Sequence, residues 1–202
     1  MPNNPAKTVR NEPATDPRVR RSTRALGAAL VELMAEDKFD DITVQDILDR
    51  AGVGRATFYS HFRNKNDVLH SSYEHMFSWL ETKVDEPSGF RRRIVPVREF
   101  IEHIGDSTQL VRVLRESGQM REMSELGVEF LARMIEKRIR PIPGAKSPVP
   151  APLVSRMLAG ALMQMIEWHG IHHEQMIPAS VDATFHGLAN TWLRGASYEV
   201  RP

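Results

Sequence analysis

Apolar positions in this chain recur at helical spacing in one segment after another, with proline and glycine marking the breaks. From Arg18 to Glu36 the set Leu26, Ala29, Leu30, Leu33 and Met34 predicts a first amphipathic helix. Val44, Ile47, Leu48 and Ala51 fall at i, i+3, i+4 and i+7 and predict a second helix of about two turns, stopped at Gly52. Thr43 is its expected N-cap, with Asp46 placed to reach back and Ile42 with Ile47 placed as a staple. Gly52-Val53-Gly54 supplies a turn, and Phe58 and Phe62, one turn apart, predict the inner face of a third helix. Asn64 is a cap candidate for a longer helix from Lys65 to about Val84, marked by Leu69, Tyr73, Met76, Phe77 and Leu80 and about 30 Å long.

Asp85 to Gly89 breaks the pattern and marks a domain boundary. Beyond it, Val97, Phe100, Ile101 and Ile104 form a stripe ended by Gly105, Leu110 to Leu114 a short buried helix, and Leu126 to Ile139 a longer one. Five prolines between Pro141 and Pro152 predict an exposed loop. Helices from Leu153 to about His169, and from a Ser180 cap to Gly195, carry apolar stripes broader than one intramolecular contact needs. The predicted fold class is all-α: an N-terminal three-helix domain over residues 18–64, a connecting helix over 65–86 and a C-terminal helical domain over 87–202. Residues 1–17, with four prolines and little apolar periodicity, read as a flexible basic arm or a plain tail.

Charge narrows the picture. The formal net charge is only +1, so any nucleic-acid surface must be local. Between Arg50 and Lys65 four cations (Arg50, Arg55, Arg63, Lys65) occur without a carboxylate, on the outer side of the Phe58/Phe62 helix, which suits approach to phosphate. Tyr59 reads either as part of that face or as a partly packed tyrosine. With no cysteine there is no disulfide framework, thiolate nucleophile or cysteine metal site, and no apolar run reaches the length of a membrane span. A cytoplasmic protein without cofactor is expected.

The string Thr43…Ile47…Ala51-Gly52-Val53…Thr57-Phe58-Tyr59…His61-Phe62…Asn64-Lys65…Leu69 resembles the N-terminal domain of TetR/AcrR-family regulators. The resemblance implies a helix-turn-helix transcriptional repressor, homodimeric through its last two helices, that binds a palindromic double-stranded DNA operator and is released by a small apolar effector. Carried onto this sequence, Thr43, Gly54, Arg55, Tyr59, His61 and Lys65 match phosphate-contacting positions, and Arg55, Ala56, Thr57 and Ser60 match base-facing ones. Gly54 departs from the usual Ser or Thr and lacks the hydroxyl.

Seven of the ten methionines lie between Met120 and Met176. Such a stripe is either plain core or an adaptable effector pocket, whose expected lining is Phe100, Met123, Phe130, Met134, Met165, Trp168 and His169. His169, His172 and His173 cluster near a helix end, where His169 and His173 share a face as a metal site would require. Gly170 weakens that helix, and neither an HExxH motif nor a cysteine partner is present. The rival functions are an architectural DNA binder without effector and, further off, an all-α metal-dependent enzyme.

Overall fold

In the computed structural model, residues 17–84, 93–105, 107–172 and 177–201 are described, with the side chains of 107–110 set aside. Residues 1–16 of the expected arm over 1–17, the break at Asp85 to Gly89, and His173, Glu174 and Met176 lie outside them, and Pro17 opens the first helix. Nine helices run α1 (Pro17–Glu36), α2 (Val44–Ala51), α3 (Arg55–His61), α4 (Lys65–Lys83), α5 (Val97–Ile104), α6 (Ser107–Glu116), α7 (Met120–Arg138), α8 (Ala151–His172) and α9 (Pro178–Gly195) among the described residues.

The N-terminal elements form for local reasons. Thr43 caps α2: its hydroxyl accepts from Asp46 N–H at 3.2 Å, and the Asp46 carboxylate accepts from Thr43 N–H at 2.8 Å. These bonds hold the Asp46 carboxyl below the usual range, the Thr43 hydroxyl contributing most. Gly52 ends α2 at φ 63°, a left-handed backbone that glycine adopts without a Cβ penalty. Asn64 caps α4 by accepting from Asp67 N–H at 3.0 Å.

Leu26, Leu30, Ile47, Phe58 and Val68, all fully buried, pack α1 to α4 into one core. Met123 and Leu114, from beyond the predicted domain boundary, are buried in the same core. A second core joins Phe77 and Leu80 of α4 to α5, α7, α8 and α9. Tyr73 packs against both. At Gly27 the backbones of α1 and α4 come so close that an added Cβ would stand 2.3 Å from Ser72 Oγ.

Two boundaries differ from the sequence reading. The stripe ending at Ile139 overran its helix: α7 stops at Arg138, and Ile139–Pro141 (β1) pairs antiparallel with Tyr198–Val200 (β2). Ile139, Tyr198 and Val200 are buried there, so the apolar period that continues α7 belongs to a ribbon that seats the end of α9. The last helix starts at Pro178 with Ile177 as cap, not at Ser180, because Pro178 satisfies the first helical position without needing an N–H partner.

The centre of the C-terminal core holds a polar cluster that the sequence reading did not anticipate. Arg93, 2% exposed, donates to both oxygens of Glu99, one at 2.9 Å, and stands 3.6 Å from Asp182. His186 Nε2 accepts from Ile94 N–H at 3.4 Å, so its Nδ1 carries the proton that faces Asp182. Burial alone would raise the Asp182 carboxyl, but the His186 hydrogen bond and the Arg93 charge outweigh it and hold it below the usual range. The cluster ties the segment before α5 to the inner face of α9.

Candidate nucleic-acid interface

Phe58 is fully buried and Phe62 nearly so, their rings 5.8 Å apart, which fixes the roll of α3. The opposite side of α3 then carries Arg55, Ala56, Tyr59, Ser60 and His61 in the open, with Thr57 half-buried. Tyr59 is 52% exposed, its ring edge-on to Phe58 at 5.1 Å, so the hydroxyl end stands free of the core. Arg55 uses one guanidinium N–H on Gln45 Oε1 at 2.5 Å, and Gln45 in turn donates to Asp49 at 2.7 Å. That bond leans Arg55 across the turn towards α2 and leaves other donors of its planar fork available.

The remaining cations of this region are committed elsewhere. Arg50 makes a two-pronged pair with Glu36 at 3.0 and 2.7 Å and reaches Glu32 at 3.5 Å, clamping α2 to the acidic end of α1. Arg63 pairs with Asp67 at 2.8 and 2.9 Å. Lys65, expected at a phosphate, donates to three carbonyls, those of Phe39, Asp40 (3.0 Å) and Ile42 (2.8 Å), with its ammonium over the Phe39 ring. An ammonium has three N–H donors, so Lys65 is a clamp on the turn between α1 and α2 and has none left for a phosphate. Of the four cations counted along the sequence, Arg55 is the one directed outward from α3. Arg18, Arg20, Arg21 and Arg24 are exposed on the first turns of α1.

Gly54 precedes α3 at φ −70° and ψ 147°, a backbone that any residue adopts, and an added Cβ meets nothing within 4 Å. It gives α3 no side-chain cap. Gly54→Ser is therefore expected to stabilise the protein by about 0.5–1 kcal/mol, by capping α3 and by restricting the unfolded chain. Thermal denaturation checks it: a rise of a few degrees is expected, and a fall would show that the glycine is required.

The residues expected to line an effector pocket are spread over the two cores and the surface of the described residues. Phe100, Met123 and Met134 are buried in the cores, Met123 in the N-terminal one. Phe130 stacks on Phe77 with centroids 5.3 Å apart under the Arg133 guanidinium, and Met165 packs against the C-terminal core. Trp168 is 47% exposed on the outer face of α8. His169 turns its Nδ1 to the Met165 carbonyl and His172 to that of Trp168, so both rings close their own helix end. Alongside Trp168, α8 exposes Leu153, Met157 and Ile171, and α9 exposes Leu188 at 65%. Leu153, Met157, Ala161, Trp168 and Ile171 lie along one exposed side of α8, with Gln164 between Ala161 and Trp168.

Residues 26–71 match the family of bacterial regulatory proteins, tetR family. Over that stretch the chain carries a tetR-type N-terminal domain. Over 59 residues it is 39% identical to the uncharacterized HTH-type transcriptional regulator YxbF of Bacillus subtilis (strain 168), covering 29% of this chain and 16% of that protein. Over 79 residues it is 24% identical to the HTH-type dhaKLM operon transcriptional activator DhaS of Lactococcus lactis subsp. lactis (strain IL1403), covering 39% of this chain and 42% of that one. The matches thus span well under two thirds of either relative. A solved TetR transcriptional regulator from Streptococcus agalactiae 2603V has a TM-score of 0.54 at 18% identity, over 85% of this chain and 95% of the other, which shows a shared fold. Members of the tetR family are transcriptional regulators and not enzymes. No described helix is long and apolar enough to cross a membrane.

Proposed function

We propose that this chain is a tetR-family, ligand-responsive repressor that binds a palindromic operator as a homodimer. The observation that carries the reading is the outer face of α3: a short helix, fixed by Phe58 and Phe62, that presents Arg55, Ala56, Tyr59 and Ser60 to solvent. A helix of that size fits the major groove, where side chains at its N-terminal end reach base edges. Arg55, Ala56, Thr57 and Ser60 are the base-reading residues. Thr43, Tyr59, His61 and the Gly54 N–H hold phosphate, with the α1 arginines adding charge at the flank. Two copies join through the apolar faces of α8 and α9, which places two reading helices on half-sites one helical turn apart.

The test is recovery of genomic fragments bound by the purified protein at near-physiological salt, where non-specific electrostatic binding is weakened. One or a few enriched palindromes are expected; a bound set without sequence preference would replace this reading with that of an architectural binder. On the enriched site, Arg55→Ala is expected to lose about 1–3 kcal/mol of specific binding. Unchanged affinity would remove Arg55 from the interface. A reporter driven from the same site fixes the sign of regulation, and activation is the second reading because the relative DhaS is an activator.

A further inference from the structure

A cleft of about 990 Å3 lies between α1 of the N-terminal domain and the body of the chain, walled by one side of α1, the facing side of α4 and the ends of α5 and α6. None of the residues expected to hold an effector lines it. Val31 and Trp79, 55% and 39% exposed, give it apolar walls, and the His103 ring lies 4.9 Å from that of Trp79. Tyr73 is on the inner wall. Burial pushes its phenol well above the usual range, and among the described residues its hydroxyl has no hydrogen-bond partner. The residue is half-buried and its hydroxyl is not sealed from solvent, so it is a donor that an acceptor in the cleft can reach. Arg24 lines the same cleft and makes no ion pair among the described residues, whereas the carboxylate of Glu32 is turned to Arg50. The volume is that of a small-molecule site, and an apolar lining with a few converging polar groups is the composition such sites have.

We propose that this cleft binds a small aromatic anion, its ring system against Val31 and Trp79, its negative group at Arg24 and an acceptor atom at the Tyr73 hydroxyl. As a means of regulation the inference rests on the ligand-responsive reading above. The walls come from both sides of the junction, so an occupant sets the angle between α1 and α4 and with it the placement of α3.

The probe is 1-anilinonaphthalene-8-sulfonate, an aromatic anion whose emission rises in apolar surroundings, titrated into the full chain. Saturable binding of one molecule per chain is expected. Arg24→Ala, at an exposed position, weakens it about tenfold through loss of the charge-assisted contact. Tyr73→Phe weakens it less, and Ala28→Trp, which fills the cleft from an exposed position on α1, abolishes it. Binding of equal strength in Arg24→Ala and Ala28→Trp would overturn the site, and Arg24→Ala alone decides if Ala28→Trp does not fold. Operator affinity is read in the same titration. Release by the probe supports site and regulation together; variant-sensitive binding that leaves the operator bound upholds the site and overturns the ligand-responsive reading.

Discussion

Arg93→Ala is expected to destabilise the protein by about 3–5 kcal/mol, because it leaves the Glu99 and Asp182 carboxylates, 19% and 7% exposed, without their buried cation. Urea denaturation at pH 7 measures the loss, and a change under about 1 kcal/mol would mean that water replaces the guanidinium. The pH dependence gives an independent check. In the native chain, burial works to raise both carboxyls, but the hydrogen bonds and charges around them hold both below the usual range. A carboxyl depressed on folding contributes stability that is present above its unfolded value, and loses it as pH falls through the folded one, here below about pH 4. Without Arg93, Glu99 keeps only a backbone N–H against burial, whereas Asp182 keeps His186 and the Arg98 N–H, so the depression weakens mainly at Glu99. The variant therefore loses less stability than the native chain as pH falls below about 4, because less of its stability comes from a depressed Glu99.

Leu188→Glu is the second large effect. The side chain is 65% exposed in the single chain, so a carboxylate there leaves the fold of the protomer intact. If α8 and α9 meet their two-fold mates, each substitution appears twice in one interface, where two like charges are brought together and desolvated. Sedimentation is expected to change from dimer to monomer, and operator affinity to fall at least about a hundredfold once the half-sites are no longer linked. A variant that stays dimeric would move the interface away from α9.

The helix-turn-helix was legible in the sequence because its signals are local. Thr43 and Asp46 are three residues apart, Gly52 follows the stripe it ends, and Phe58 and Phe62 are one turn apart, so no distant partner is needed to read them. Charge was less legible for the opposite reason. Arg50 and Lys65 read as a basic face, yet their partners, Glu36 and the carbonyls around Phe39 and Ile42, come from a segment earlier in the chain. The expected effector residues rest on an ambiguous pattern: methionine and phenylalanine at helical spacing look the same whether they fill a core or line a hole. The buried cluster escaped because Arg93 closes a run of three arginines that reads as solvated, 89 positions before Asp182. One signal was present. Asp182 and His186 occur among Val181, Phe185 and Ala189 on the inner stripe of α9, where polar groups need partners.

Helix α4 gives Val68 and Leu69 to one core and Phe77 and Leu80 to the other, while Lys65 fastens its first residue to the turn ahead of α2. Anyone grafting this DNA reader onto another sensor should therefore splice within α4 near Tyr73, carrying Lys65 to Leu69 with the head and supplying substitutes for Leu114 and Met123. A splice at the loop before Lys65 would leave the donated head with an open apolar floor and an unpinned turn, and the hybrid would fail by aggregation before its specificity could be read.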